Sequence, residues 1–353
     1  MSRVIAFYLP QFHPIPENDR NWGTGFTEWT NVAKALPLFP GHYQPHVPAN
    51  LDYYDLRVPE TRQQQANMAR KHGVDAFCYY HYWFAGRRLL ERPFNEVLNS
   101  GKPDFPFCLC WANQSWTGVW HGAPDRMLVE QTYPGIDDHA RHFDWLVTAF
   151  ADRRYVTVEG KPLFLIFSPS EIPFVKELTE FWRRRAVAAG FPGLHLVGIT
   201  HEPTVHLLLG QSIPIWNPKD YGFDASLRVR VPLVPGWWPR QPKLAVFNHA
   251  EIVDLLVAPP IVGVKDYPCV GHAWDNTPRS GLAGIVFHGS HPRHFRRNLR
   301  QAFAQIAANE PEEQIVFLKS WNEWGEGNHL EPDLKFGLRW LEVIRAERDS
   351  HRA

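Results

Sequence analysis

Short apolar runs alternate with longer segments of helical periodicity along most of the chain. Runs of about four to eight apolar residues bounded by turn residues are typical of buried strands. The loop after the first run reaches about Asp52 and is rich in aromatic residues, which indicates a functional rather than a disordered connection. The apolar runs predict eight strands, at Arg3–Leu9, Val74–Trp83, Phe105–Cys110, Leu163–Phe167, Leu194–Thr200, Tyr221–Asp224, Tyr267–Gly271 and Gln314–Leu318.

Helical periodicity fills most of the intervals between these strands. Pro59 stands at a favourable first-turn position of the first predicted helix, and Gly73 supplies its C-terminal stop. A Pro- and Trp-rich excursion through Trp237-Trp238-Pro239 interrupts the pattern between the sixth and seventh strands. The predicted helices are Glu60–His72, Arg88–Ser100, Asp137–Ala151, Phe174–Gly190, Asn248–Val257, His294–Ala308 and Leu338–Glu347.

This alternation of strands and helices predicts an α/β fold with a parallel sheet. Eight such units in 353 residues favour a (β/α)8 TIM barrel with long βα loops over an open sheet. No repeat, low-complexity tract or linker divides the sequence, so we expect one catalytic domain over residues 1–353.

Composition limits the partners. Lys plus Arg and Asp plus Glu balance at 37 each, so no global charge favours nucleic acid or an anionic membrane. The four Cys residues form no C-x-x-C pair and no zinc-like cluster with His, which favours free thiols in a reducing compartment. Val4–Leu9 is too short for a signal peptide, and no run approaches the ~20 apolar residues that span a bilayer. We therefore expect a cytoplasmic protein without an integral membrane segment; its oligomeric state stays open.

Polar and aromatic clusters follow five of the predicted strands. They run from Tyr8 to His13, Tyr79 to Trp83, Trp111 to Trp116, Trp274 to Asn276 and Trp321 to Glu326. Taken singly, each is also explained as a loop that contains aromatic residues. In a barrel, however, all five lie on the C-terminal rim, where catalytic residues come from several strands, and Trp faces stack well on sugar rings. Together they predict a cleft that binds an oligo- or polysaccharide.

The predicted substrate-binding residues come from these clusters and from the long first loop. His13 and His81 are interpreted as orienting sugar hydroxyls or as hydrogen-bonded rim residues, and Asp275 as holding a hydroxyl or forming an Asx-turn. Glu28 and Glu331 are weaker carboxylate candidates with structural alternatives. The full predicted set is Tyr8, His13, Glu28, Tyr80, His81, Trp111, Asn113, Trp116, Trp274, Asp275, Asn322 and Trp324.

Glu323 and Glu326 are the best catalytic pair. Their three-residue spacing puts both carboxylates on one side of a helical turn. Retaining glycoside chemistry needs two carboxyls ~5–5.5 Å apart and inverting chemistry ~6.5–9.5 Å, a choice that spacing leaves open. Proximity among Trp rings also pushes the two pKa values apart, which suits one base and one acid. The alternative is a capping or salt-bridge role for one of the two.

Motifs for other chemistries are absent from the sequence. It contains no P-loop, no G-x-G-x-x-G after a strand, no G-x-S-x-G and no H-E-x-x-H. It also lacks the D-x-D that commonly places a metal for nucleotide-sugar transfer. What remains favours a hydrolytic or transfer reaction without metal or cofactor.

Six ordered motifs resemble the WbsX family, which is labelled glycosyltransferase and is related to the endo-α-mannosidases and endo-α-mannanases of glycoside hydrolase family 99. The resemblance covers nearly the whole chain. The motifs are Ala6–His13, Gly25–Trp29, Tyr80–Trp83, Trp111–Asn113, Trp274–Pro278 and Trp321–Gly327.

The resemblance implies a (β/α)8 fold and retaining, metal-independent chemistry. By carry-over from family 99, Glu323 is the base that acts on the sugar's 2-hydroxyl to give a 1,2-anhydro intermediate, and Glu326 is the general acid/base. Gln114 departs from the pattern, because many relatives have Glu after Trp-Ala-Asn.

Three hypotheses follow. The first is an enzyme that cleaves or transfers α-linked, mannoside-like sugars with Glu323 and Glu326. The second is a glycosyltransferase of bacterial surface-polysaccharide biosynthesis. The missing D-x-D and the missing nucleotide-binding half count against it, and the predicted cytoplasmic location counts for it. The third is a carbohydrate-binding barrel without activity, against which the intact Glu pair counts.

Overall fold

Eight parallel strands close into a barrel in the computed structural model, which describes residues 2–118, 123–203, 216–231 and 244–352. Around the barrel the order is β1-β8-β7-β6-β5-β4-β3-β2, and β1 pairs with β2 to complete the circle. The predicted (β/α)8 barrel is confirmed. Its strands are β1 (Arg3–Tyr8), β2 (Ala76–Phe84), β3 (Phe107–Trp111), β4 (Lys161–Ile166), β5 (His195–Pro203), β6 (Ala225–Val231), β7 (Asp266–Gly271) and β8 (Ile315–Lys319).

Helices pack around this barrel and also occupy the loops at its C-terminal rim. Apolar faces such as Leu299, Ala302 and Phe303 of the helix after β7 are buried against the strands. The helices of the described residues are α1 (Pro16–Trp22), α2 (Glu28–Ala33), α3 (Pro59–Lys71), α4 (Arg92–Ser100), α5 (Ile136–Phe150), α6 (Val175–Ala188), α7 (His249–Ile252), α8 (Thr277–Ser280), α9 (Pro292–Ile306) and α10 (Arg339–Arg352).

The prediction of the sixth strand at Tyr221–Asp224 is wrong. Pro218–Tyr221 forms a 3₁₀ turn that ends at Gly222 with a φ of 77°, and the strand begins only at Ala225. Its polar positions hid it, because Arg228 and Arg230 break the apolar run. Both are buried in ion pairs, Arg228 with Asp266 at 2.5 Å and Arg230 with Glu202 at 3.1 Å. These partners on β7 and β5 make the arginines tolerable inside a sheet.

Two predicted helices also need correction. The helix predicted at Arg88–Ser100 begins at Arg92, because Arg87–Leu89 pairs antiparallel with the end of β2. The helix predicted at Asn248–Val257 is shorter, since α7 is followed by a 3₁₀ turn at Val253–Leu255. The Trp237-Trp238-Pro239 excursion lies outside the described residues.

The loop between β1 and α3 is folded back on the barrel rim. The indole of Trp29 donates to the Tyr54 carbonyl at 2.7 Å, and Glu28 N donates to the Gln11 carbonyl at 3.1 Å. This packing brings α2 against the loop that follows β8. All four cysteines are buried and free. Among the described residues, every helix is too short or too polar to cross a bilayer.

Candidate active site

The segment after β8 is fixed to the end of β1. Trp321 N donates to the Phe7 carbonyl at 2.7 Å, and the Asn322 side chain bonds both backbone groups of Leu9, at 2.7 and 3.0 Å. Glu323 N donates to Ser320 Oγ at 3.0 Å. A 3₁₀ turn over Trp324–Glu326 then returns the chain, so Glu323 and Glu326 are held beside each other at the centre of the rim.

One guanidinium bridges three buried carboxylates at this point. Arg279, in the short helix α8, lies 2.7 Å from Glu28 Oε1, 2.7 Å from Glu326 Oε1 and 3.2 Å from Glu323 Oε2. A second cation, Lys319 at the end of β8, lies 4.0 Å from Glu326 Oε2. The three acids are thus held together by one guanidinium, whose three nitrogens each contact a different carboxylate, and one of these carboxylates also faces a more distant ammonium group.

The electrostatics of the pair favour one group that exchanges protons near neutrality. Burial, reinforced by the charge of Glu326 and opposed by Arg279, raises the pKa of Glu323 to about 7. Glu326 Oε2 is buried and makes no hydrogen bond within the described residues. A carboxyl whose pKa is raised to about 7, beside a second carboxyl with a buried oxygen, is an arrangement that suits acid/base chemistry.

These groups form the floor of a cavity of about 220 Å³. Its walls carry five aromatic side chains and come mainly from the ends of β1, β2, β3 and β4, from α1 and from the segment Ser115–Thr117. The lining residues are Leu9, Gln11, Asn18, Trp22, Glu28, Tyr80, Tyr82, Ala112, Gln114, Ser115, Trp116, Thr117, Leu128, Phe167, Arg279, Lys319, Glu323 and Glu326.

Five of the residues predicted from sequence to contact substrate or act on it line this cavity. They are Glu28, Tyr80, Trp116, Glu323 and Glu326. Gln114 also lines it and donates to Glu171 Oε1 at 2.7 Å. Glu28 forms an ion pair with Arg279, so it contributes a negative charge to the group of acids at the base of the cavity.

Several other predicted residues lie in the wall behind the cavity. Tyr8 donates to Gln65 Oε1 at 2.6 Å, and His13 Nδ1 lies 3.0 Å from the Pro10 carbonyl. His81 stacks on Trp145 of α5, with ring centroids 4.6 Å apart. These side chains support the rim from outside the barrel.

Three more of the predicted residues are also buried away from the cavity. The side-chain oxygen Oδ1 of Asn113 accepts a hydrogen bond from Ser168 N at 2.8 Å. The ring of Trp111 packs against that of Trp182, with centroids 5.9 Å apart. Asn322 is occupied by its clamp on Leu9. Their hydrogen bonds and contacts hold strand ends and loops in register.

Trp324 is held by a buried carboxylate network. Its indole donates to Glu331 Oε2 at 2.7 Å, and Trp321 donates to Oε1 of the same residue at 2.9 Å. Tyr54 and Gln65 donate to Glu331 at 2.8 and 2.7 Å. Burial raises the pKa of Glu331 to about 7 against these four hydrogen bonds. Glu331 therefore fixes the indoles of Trp321 and Trp324, the residues that flank Asn322 and Glu323 in sequence.

Trp274 and Asp275 line a second, smaller cavity of about 100 Å³ beside the first. Asp275 Oδ2 accepts hydrogen bonds from His42 and Gln44, both at 2.7 Å. Its Oδ1 accepts from Thr277 N at 3.0 Å and from Thr277 Oγ1 at 2.6 Å, which is the predicted Asx-turn and lies directly before α8. Through α8 it helps to place Arg279.

The family assignment rests on the whole chain rather than on the site alone. A family model described as Glycosyltransferase WbsX matches residues 4–344. The chain belongs to the WbsX glycosyltransferase family. WxcX from Xanthomonas campestris pv. campestris strain B100, named as uncharacterized, is 38% identical over 354 residues, covering 98% of this chain and 49% of WxcX. A second strain's WxcX gives the same figures. This WbsX chain thus spans about half the length of these curated relatives.

Solved structures share the WbsX barrel. An endo-α-mannosidase of family GH99 from Bacteroides thetaiotaomicron, solved alone and with BIS-TRIS-propane, gives TM-scores of 0.57 and 0.58 at 14% identity, covering 99% of this chain and 97% of that one. A glycoside hydrolase-like protein gives 0.57 at 14% identity, over 98% and 93% of the two chains. At this identity the likeness shows the fold.

The most important residue that sequence reasoning missed in this WbsX chain is Arg279. It directly follows the motif Trp274–Pro278, so its position one residue beyond a recognised motif was the available signal. Lys319, the last residue of β8, was passed over because it ends the apolar run. Tyr82 and Phe167 lie at strand ends like the predicted residues and complete the aromatic wall.

Gly325 between the two glutamates is the site of the first testable prediction. A Cβ at this position would overlap Glu28 Oε1 and lie 2.8 Å from Arg279 Nε. Gly325→Ala is therefore expected to separate Glu28 from Arg279 and to destabilise the fold by about 1–3 kcal/mol, as overpacking does. Urea unfolding measures the change.

A matched control is available on the same rim. A Cβ at Gly271, at the end of β7, would meet only the Lys319 carbonyl, at 3.9 Å. Gly271→Ala is expected to unfold like the wild type. Equal stability of the Gly325→Ala variant and the wild type would contradict the close packing of Glu28 against Gly325.

Proposed function

We propose that this protein cleaves or transfers α-linked, mannoside-like sugars by retaining, metal-independent acid/base chemistry of Glu323 and Glu326. The observation that carries the proposal is the pair of carboxylates on one guanidinium at the floor of an aromatic-walled cavity. Aromatic walls suit the apolar faces of sugar rings, and the acid pair suits a glycosidic bond.

In the proposed first half-reaction Glu323 takes the proton of the sugar's 2-hydroxyl. The deprotonated O2 attacks C1 while the bond from C1 to the leaving oxygen breaks. Glu326 gives its proton to the leaving oxygen. The product is a 1,2-anhydro sugar. The pKa of Glu323, raised to about 7 by burial and by Glu326, supports its role as a base near neutrality.

In the second half-reaction the roles reverse. Glu326 removes a proton from water or from an acceptor hydroxyl. The oxygen of that water or acceptor attacks C1 and breaks the C1–O2 bond of the anhydro ring, and Glu323 returns its proton to O2. Two inversions at C1 give net retention. Arg279 contacts both acids at 3.2 and 2.7 Å and so holds them in one orientation through both steps.

A pH dependence follows from the proposed base. Because burial and Glu326 raise the pKa of Glu323 to about 7, the ionised base forms only as the pH rises through that value. We expect kcat/KM to rise roughly tenfold per pH unit as the pH approaches about 7 from below. Initial rates across that range measure it. If the residual kcat/KM of Glu323→Gln no longer rises with pH below about pH 7, the rise in the wild type is due to ionisation of Glu323. If the rise persists in this variant, another group causes it.

A second candidate function is glycosyl transfer from an activated donor in bacterial surface-polysaccharide biosynthesis. The description of the matching family as glycosyltransferase favours it. The same cavity would then bind the sugar of the donor, and Glu323 or Glu326 would serve as the base for the acceptor hydroxyl.

The donor decides between these functions. The protein is incubated with α-manno-oligosaccharides and, separately, with nucleotide sugars plus a saccharide acceptor. We expect cleavage or transfer from the oligosaccharides without any nucleotide. Product formed only from nucleotide sugars would replace the first function by the second. Binding of saccharides without turnover in either assay would indicate a carbohydrate-binding barrel instead.

A further inference from the structure

A second cluster of metal-ligating side chains lies on the rim, outside the cavity that holds the glutamates. His46, His329 and Asp333 each offer one ligand atom, and these three atoms lie within 4.8 Å of one another. All three residues are buried. His46 belongs to the loop after β1, and His329 and Asp333 belong to the loop after β8. We propose that this cluster binds a divalent transition metal of the zinc class, which ties the two loops together.

The histidine tautomer supports this assignment. His329 Nδ1 lies 2.9 Å from the Glu331 carbonyl, and a carbonyl only accepts, so Nδ1 carries the proton. The lone pair of Nε2 then points into the cluster, where it accepts from His46 Nδ1 at 2.8 Å. Metal-binding histidines almost always donate their other N–H to a carbonyl or carboxylate in this way, which fixes the ring.

The carboxylate supplies the second, independent observation. Asp333 is 1% exposed, and its Oδ1 accepts from Phe336 N at 2.6 Å. Its Oδ2, which faces His329 Nε2 at 3.9 Å, makes no hydrogen bond of normal geometry among the described residues. The Tyr43 hydroxyl, which also lacks such a bond there, interacts with this carboxylate. A buried carboxylate oxygen without a hydrogen bond is costly unless a cation faces it.

The spacing of the donors suits a tetrahedral ion. Bonds of about 2.0–2.1 Å to zinc place two donor atoms roughly 3.3 Å apart. His46 Nδ1 and His329 Nε2 are 2.8 Å apart, and His329 Nε2 and Asp333 Oδ2 are 3.9 Å apart. For the ~3.3 Å spacing the first pair must separate by about 0.5 Å and the second approach by about 0.6 Å, and the third pair lies within 4.8 Å. The cavity of about 100 Å³ that His46 lines has room for water as a fourth ligand.

The backbone holds the two loops in place for such a site. Ala49 N donates to the Pro332 carbonyl and Leu334 N to the Val47 carbonyl, both at 2.9 Å. The ligands therefore sit on paired segments rather than on free loops. Lys335 is the cation nearest in sequence to Asp333. Its ammonium lies over the ring of Tyr43, 4.3 Å from the centroid, and its charge interacts with the Asp333 carboxylate.

The metal would also support the catalytic loop. The ring of His329 stacks on Trp324 with centroids 3.6 Å apart, and Trp324 lies between the two glutamates in sequence. None of the three ligands lines the cavity above Glu323 and Glu326. The proposed role is thus structural, and it stands or falls independently of the proposed sugar chemistry.

Zinc binding by the full chain tests the site. The protein is treated with a chelator, reloaded with Zn²⁺ alone and desalted, and its metal content and affinity are measured by elemental analysis and by competition with a chromophoric chelator. We expect one zinc per chain and a rise in Tm on reloading. His46→Gln, which keeps a hydrogen-bonding group toward His329, and Asp333→Asn are each expected to weaken binding by more than roughly 100-fold, beyond the loss caused by outer-shell changes.

His351→Gln provides the matched control, because this half-buried histidine stacks on Phe303 far along the chain from the cluster. It is expected to bind zinc like the wild type. Wild-type protein that binds no more zinc than His46→Gln would overturn the proposal and leave the 2.8 Å contact as a hydrogen bond between two imidazoles. If the circular dichroism spectrum shows that Asp333→Asn does not fold, the zinc affinity of His46→Gln alone tests the proposal.

Discussion

Replacing Glu323 by glutamine is expected to lower kcat by roughly 10²- to 10⁴-fold, the range that a positioned general base contributes. Glutamine has the size of glutamate and still offers an oxygen to Arg279, which lies 3.2 Å from Glu323 Oε2. It cannot take the proton of the 2-hydroxyl. KM is expected to change much less, because the aromatic walls that hold the sugar are untouched. Initial rates on the oligosaccharide that the wild type turns over measure both constants.

The control for this substitution is Glu177→Gln. Glu177 lies on the exposed face of α6 and lines neither cavity of the rim. It is expected to show wild-type rates. If Glu323→Gln and Glu326→Gln both kept the wild-type kcat, the acid/base mechanism would be wrong, whatever activity the protein has.

Replacing Arg279 by glutamine is expected to destabilise the fold by about 3–5 kcal/mol, as removal of one partner of a buried ion pair does. The guanidinium is 12% exposed at its side chain and contacts three acids that are 8% exposed or less. Without it, three neighbouring carboxylates repel one another in a buried site. Urea unfolding at neutral pH measures the loss.

The pH dependence of that loss is also fixed in sign. The folded-state pKa of Glu323 is already raised above its unfolded value to about 7, because burial and Glu326 disfavour the charge. Removal of Arg279 raises it further, so protonation relieves the repulsion as the pH falls. The deficit is therefore expected to be largest above about pH 7 and to shrink toward about pH 5.

Arg297→Gln is the matched arginine control. Arg297 lies 2.7 Å from Asp254, but both side chains are more than half exposed. An exposed pair of this kind contributes about 0–1 kcal/mol, so the variant is expected to unfold nearly like the wild type. A similarly small effect of Arg279→Gln would contradict the central role given to this guanidinium.

The barrel could be predicted from sequence because most of its strands are uninterrupted apolar runs. β8 and β2 are examples, buried along almost their whole length. β6 was misplaced because Arg228 and Arg230 are paired with acids from β7 and β5. The hydrophobic pattern of one strand does not show that an acidic residue on a neighbouring strand neutralises a buried arginine.

The site was predictable as a region but not side chain by side chain. Alternate residues of a strand point to opposite faces, so on β2 Tyr80 and Tyr82 line the cavity while His81 packs against Trp145. Sequence placed these residues on the rim without showing the register.

Arg279 shows the same limit. It meets Glu28 across 251 residues of chain, and no local pattern announces that contact. The Glu pair could be predicted from sequence because both residues lie in one short segment directly after β8. The predicted helical turn there is a 3₁₀ turn over Trp324–Glu326.

The most direct test of the central claim, that Glu323 and Glu326 divide base and acid roles on a glycosidic bond, uses two α-manno-oligosaccharide donors that differ only in leaving group. One carries an activated aryl group that leaves without a proton, and the other carries an alkyl group that needs one. The constant compared is kcat/KM, which reports the first half-reaction and not the later step in which Glu326 acts as a base. Glu326→Gln is expected to lose most of its kcat/KM on the alkyl donor and little on the aryl donor, whereas Glu323→Gln loses it on both. Equal impairment of Glu326→Gln on the two donors would contradict the assignment.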